Sequence, residues 1–242
     1  MSLQYAPVKW NRNKLIYDGI ILLSIVLYLS SFMLIGKLFW PGSIEVLLIR
    51  ALGTCALLML HVVLCIGPLA RFDARFLPVL YNRRHLGVAT FLLGLAHGLL
   101  SFGYYHGFGV ENPFVSLLTS NTNYFSLTAF PFEILGLIAL VILFLMAATS
   151  HDFWLKNLSP GVWKGLHMLI YPAYVLLIWH VALGALQSEG SWLYLLLLTL
   201  GVALVTGLHL LAGSRERHRD SPPYQGGVRG GCTHPKPHPT SP

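Results

Sequence analysis

Six runs of mostly apolar residues, at 15–35, 46–70, 86–105, 130–149, 165–186 and 192–212, take up about half of this 242-residue chain. Each is close to the ~20 residues that an α-helix needs to cross a hydrocarbon core of ~30 Å. Lipid hides no unpaired backbone group, so such runs become helices that satisfy their own N–H and C=O groups. The expected fold is therefore an all-α membrane protein, a six-transmembrane-helix bundle. A composition of 55% hydrophobic and only 10% charged residues agrees, since soluble domains carry charge on about a quarter of their residues. No second globular domain fits, and no Gly-rich phosphate loop is present. Any cofactor has to lie among the helices.

The first run is longer than a signal-peptide core and reads as a retained helix behind a short N-terminal segment, residues 1–14. Pro41-Gly42, Asn112-Pro113, Ser159-Pro160-Gly161 and the stretch 187–191 fall in the connections, where turn formers belong. Basic residues fix the orientation. Lys9, Arg12, Lys14, Arg71, Arg75, Arg83, Arg84, Lys156, Lys164, Arg215, Arg217 and Arg219 all fall on one side, whereas the third and fifth loops carry no Lys or Arg. Both termini are expected to be cytoplasmic, in a multi-pass protein of the cell inner (cytoplasmic) membrane. The net charge of +7 is a topology signal rather than a nucleic-acid footprint.

Residues 213–242 are rich in Pro and Gly and read as a disordered cytoplasmic tail. The three cysteines offer no disulfide, because Cys55 and Cys65 lie about 15 Å apart along one helix and Cys232 sits in the tail. Cys232-Thr233-His234 echoes half of an iron–sulfur motif, but no second half follows.

Histidine placement is the strongest functional signal. His61, His97, His167, His180 and His209 lie inside apolar runs, where polar side chains are costly and mark a site or an interhelical hydrogen bond. A neutral imidazole can ligate haem iron through one ring nitrogen while the other donates to a carbonyl. Counting 1.5 Å per residue puts His97 about 18 Å from the inner end of the third helix and His180 about 24 Å beyond Lys164. Both belong to the outer half, where two parallel helices can offer one histidine each to a shared iron. His167 lies about 20 Å below His180, which suits a second haem beneath the first. On a straight helix these two would point roughly 140° apart, and Pro172 between them can bend the helix and change that phase. For the inner partner His85, His61 and His209 remain open. His85 also reads as an interfacial cation, and His209 as a hydrogen-bonded core histidine.

Other residues have two readings each. Arg83 and Arg84 can hold haem propionates or lipid head groups, and Arg50 can do the same at the outer side or snorkel. Glu133 suits a helix N-terminus, with proton handling as the second reading. Tyr104, Tyr105, Trp163, Trp192 and Tyr194 read as an aromatic belt. His106, His151, His218, His234 and His238 fall outside the apolar runs and are expected to be solvated.

Arg83-Arg84-His85-Leu86-Gly87 followed by His97, and Trp163-Lys164-Gly165-Leu166-His167 with Tyr171 and His180, resemble the third- and fifth-helix motifs of the ferric-reductase-like transmembrane domain superfamily. The likeness covers residues 15–212 and is greatest to the membrane unit of bacterial Rieske-fused members. It implies haem b, one or two per chain, with His97 and His180 as one axial pair and His167 serving a second haem. His85, twelve residues before His97, and His61 are the candidates for the remaining ligand. The resemblance implies electron transfer across the membrane as a component of an oxidoreductase. The donor is expected to be quinol or a redox protein, because these residues leave no room for a flavin- or nicotinamide-binding domain. The acceptor is expected at the outer side, an iron–sulfur or other redox partner. The alternative is a haem-free transporter or channel whose histidines relay protons.

Overall fold

A computed structural model describes residues 12–39, 42–120, 123, 125–126, 130–188 and 192–220. Its elements are α1 (Arg12–Phe39), α2 (Ile44–Phe72), a 3-10 turn (Ala74–Phe76), α3 (Leu77–His106), α4 (Pro113–Thr119), α5 (Phe132–Ala148), α6 (Asp152–Asn157), α7 (Pro160–Met168), α8 (Ile170–Leu183), α9 (Ala185–Ser188) and α10 (Trp192–Asp220). No strand occurs among the described residues. The chain is an all-α membrane protein: α1, α2, α3, the α7–α9 stretch and α10 are long and apolar enough to cross a bilayer. The fourth apolar run forms the shorter α5, whose 17 residues extend about 25 Å at 1.5 Å per residue.

Several boundaries move outward from the sequence expectation. Pro160 does not close a connection but starts α7, with Ser159 as N-cap accepting from the Val162 N–H at 3.3 Å. Proline is tolerated there because the first turn has no N–H partner to lose. For the same reason Pro78 stands at the start of α3, so Arg83, Arg84 and His85 lie within that helix rather than before it. At the far end α10 runs on past Ala212 to Asp220, through residues expected in a disordered tail. Arg71 pairs with Glu216 at 3.3 Å and the Arg215 guanidinium lies 5.7 Å over the Phe72 ring, which ties this extension to the end of α2. Residues 221–242, including Cys232, His234 and His238, and residues 1–11 lie outside those described.

The fifth apolar run is bent. Pro172 has no N–H for the Met168 carbonyl, and the helix breaks at Leu169, whose N–H turns back to Leu166 at 3.2 Å. It breaks again at Gly184.

Helix α2 contacts α1, α3 and α10, while α3 packs on α5 and α5 on α8. The circuit closes from α8 back to α2 through a core of Leu60, Leu64 and Cys65, Tyr174 and Val205. A second cluster joins Leu52, Cys55 and Leu93 to Ile25, Tyr28 and Leu29 of α1. Cys55 and Cys65 are buried free thiols. The four helices α2, α3, α5 and α8 thus surround His97 and His180, and α1 and α10 pack outside them.

Candidate functional site

The structure brings His97 of α3 and His180 of α8 together, with ring centres 6.4 Å apart and planes at 80°. Their surroundings are alike. His97 Nδ1 is 2.9 Å from the Ile49 carbonyl of α2, and His180 Nδ1 is 2.8 Å from the Phe132 carbonyl of α5. A carbonyl only accepts, so each Nδ1 is the protonated nitrogen and each Nε2 carries the free lone pair. Neither Nε2 has a hydrogen-bond partner among the described residues. This is the tautomer a metal-ligating imidazole needs, with the second nitrogen held by a carbonyl.

Glycines flank both rings. A Cβ on Gly53 would stand 2.9 Å from His97 Nδ1, and one on Gly136 would stand 2.7 Å from His180 Nδ1. The Phe132 ring packs on His180 at 5.7 Å.

The spacing fits iron between the two imidazoles. Two imidazoles sharing a metal through bonds of about 2.0 Å, with ring centres about 1.1 Å further back, would have centres at most about 6.2 Å apart, close to the 6.4 Å found here. Among the described residues no group of three or more His, Cys, Asp or Glu is gathered as a metal cage. Two protein ligands suit a metal whose remaining ligands come with it, as porphyrin supplies them to haem iron.

The other histidines are engaged differently. His61 is buried, with Nδ1 at 2.7 Å from its own helix at the Leu57 carbonyl and Nε2 at 3.1 Å from the Tyr174 hydroxyl. Gly201 of α10 presses on the same Nε2, where a Cβ would come to 2.5 Å. His209 is held the same way, by the Val205 carbonyl at 2.9 Å and the Tyr171 hydroxyl at 3.3 Å. His85 Nδ1 is 2.7 Å from Asp18 Oδ1, linking α3 to α1.

His167 lies at the arginine-bearing end, its Nδ1 3.0 Å from the Trp163 carbonyl and its Nε2 3.5 Å from Ser150 Oγ. The Trp163 ring stacks on it at 4.0 Å, while the Trp163 Nε1–H is buried without an acceptor. Trp163 also lines a cleft of 580 Å³ with Arg71, Arg83 and Arg84. Arg84 donates to the Ser150 carbonyl at 3.2 Å. These residues assemble an arginine-walled cleft beside His167, with no second imidazole next to it among the described residues.

A cluster at the opposite end had no sequence expectation behind it. His106, expected to be solvated, is only 6% exposed. Its Nδ1 is 2.9 Å from Ser116 Oγ, its Nε2 is 3.7 Å from Glu133, and the Ser120 hydroxyl donates to Glu133 at 2.5 Å. The group joins α3, α4 and α5. The signal available in the sequence was weak: a histidine ending one apolar run and a carboxylate opening the next.

The family model described as ferric reductase like transmembrane component matches residues 51–178. No curated protein and no solved structure matches the chain.

Proposed function

The chain belongs to the ferric reductase-like transmembrane family, and from that premise we propose that it moves single electrons across the membrane with haem b held by His97 and His180. The carrying observation is the pair of imidazoles, 6.4 Å apart, each with Nδ1 on a carbonyl and Nε2 without a protein partner among the described residues. Haem, when bound, supplies a one-electron iron centre whose potential follows its ligands and the polarity around it. The residues of this chain would offer it two ring nitrogens, whose tautomer the carbonyls fix, within the apolar helices α2, α3, α5 and α8. No acid or base chemistry is required of them.

We place the protein in the cell inner membrane with six spans, α5 being the short one, and with the arginine-rich end cytoplasmic by the asymmetry of Lys and Arg. His97 and His180 then lie in the outer half, nearer an outer acceptor, an iron–sulfur or other redox protein. Quinol or a redox protein delivers electrons at the inner end. An inner haem would rest on His167, with Arg83 and Arg84 holding its carboxylates through charge-assisted bonds and His85 leaving Asp18 to complete the pair. His61 and His209 are excluded from that role in this reading, because Tyr174 and Tyr171 occupy their second nitrogens.

A reduced-minus-oxidised absorption spectrum of the purified full chain tests the reading. Bands of b-type haem are expected, and a flat difference spectrum after expression with ample haem supply would overturn it. Haem counted per chain as pyridine haemochrome then separates the two inner arrangements, two if His85 and His167 pair and one if they do not.

A further inference from the structure

The two histidines of the site are held by one device used twice. In both cases the accepting carbonyl stands 48 residues before the histidine, and the glycine against the ring stands four residues after that carbonyl. Ile49, Gly53 and His97 correspond to Phe132, Gly136 and His180 at a constant shift of 83 residues. The helices obey the same shift, for α3 begins at Leu77 and α7 at Pro160. On α2 and α5 it also pairs Leu52 with Leu135, Ala56 with Ala139 and Leu60 with Leu143. The helix pair α2–α3 and the pair formed by α5 with α7–α8 thus carry the same carbonyl–glycine–histidine register, and the two histidines meet between them.

The glycine in this device has a physical reason. Each Cα–Cβ bond of an α-helix leans toward the N-terminus, so the side chain at i+4 covers the carbonyl at i. A glycine at i+4 uncovers it. The carbonyl keeps its helical N–H donor and has a second lone pair for a donor from outside. A ring laid over Gly53 can therefore reach the Ile49 oxygen, and one laid over Gly136 the Phe132 oxygen. Any Cβ at these positions would come within 2.9 Å and 2.7 Å of ring atoms, closer than unbonded atoms tolerate.

We propose that Gly53 and Gly136 are positioning residues, which open the flanks of α2 and α5 so that the carbonyls of Ile49 and Phe132 can set the tautomer and the near-perpendicular orientation of His97 and His180. This rests on the haem reading above. Neither glycine touches the metal; each acts through its histidine.

Gly53→Ala and Gly136→Ala in the full chain, with Gly103→Ala as the control on α3, test it. A Cβ at Gly103 meets nothing within 4 Å. Each of the first two substitutions is expected to weaken haem retention on the order of ten- to a hundredfold, the usual effect of losing the partner that orients a ligating histidine. Each should also change the anisotropy of the low-spin electron paramagnetic resonance signal, which follows the angle between the imidazole planes. Gly103→Ala should do neither. Wild-type haem affinity and an unchanged signal in both glycine variants would overturn the proposal while leaving the ligand pair intact. A wild-type chain without haem would instead remove the reading beneath it. If neither variant accumulates, the oxidised wild-type holoprotein decides: a signal of near-perpendicular planes is expected, and one of parallel planes overturns the proposal.

Discussion

A phenol oxygen sets His61 apart from His97 and His180. Tyr174 stands 3.1 Å from His61 Nε2, whereas the same nitrogen of His97 and of His180 faces no hydrogen-bonding group among the described residues. Tyr174→Phe would leave a buried imidazole nitrogen unsatisfied, at a cost of about 1–3 kcal/mol. The expected result is a lower denaturation midpoint in detergent with an unchanged haem spectrum. A lost haem band in that variant would show that His61 takes part in ligation after all. Residue by residue, the sequence told heights better than partners. A rise of 1.5 Å per residue was enough to put His97 and His180 in the same half of the bundle, because height depends only on each histidine's own helix. What lies across from a side chain depends on the neighbouring helix, so the Tyr174 hydroxyl, the Asp18 carboxylate beside His85 and the glycines under the two rings were not legible. His106 was misread for the same reason, since its burial comes from Ser116 and Glu133 on other helices.

Among the elements, the short helix α4 depends most on side chains. It has seven residues, too few to be stable alone, and it is held by Asn112 as N-cap and by Ser116 and Ser120 in the His106–Glu133 cluster. Glu133→Gln should weaken this hold by about 1 kcal/mol, seen as roughly fivefold faster amide exchange along α4 with the haem unaffected. Unchanged exchange would mean that α4 is held by Phe114 packing on Phe102 instead. The end of α10 is a contrasting case. The Arg71–Glu216 pair is about half exposed on both sides, 55% and 51%, and exposed pairs contribute at most about 1 kcal/mol. Removal of residues 213–242 is therefore expected to leave haem content unchanged, measured as pyridine haemochrome per chain; a fall would give this segment a part in the site. The bend at Leu169 was foreseeable from Pro172, because the missing N–H is a property of the residue itself. The extension of α10 was not, because its anchors, Arg71 and Phe72, lie on α2.

At the scale of the molecule, the α2–α3 pair meets the pair of α5 with α7–α8 at the candidate site, and α1 and α10 both pack on α2. The apolar runs and their lengths made the membrane class legible, since a run of about 20 apolar residues satisfies its own backbone groups in lipid as a helix. The repeat went unread because leucine recurs by chance in such sequences, and only the contacts of Gly53 and Gly136 give the 83-residue shift a meaning. His167 lies apart from His180 at the arginine-bearing end, so His167→Ala should leave the outer haem in place. If His97 and His180 hold one iron between them, as proposed, the haem-to-protein ratio of His97→Ala and of His180→Ala, each purified as the folded full chain, will show it. Both variants are expected to lose the same haem, with matching residual spectra, and the double variant is expected to lose no more than either single one. Full haem retention in either single variant, or additive losses from two different haems, would mean that the two histidines do not share an iron.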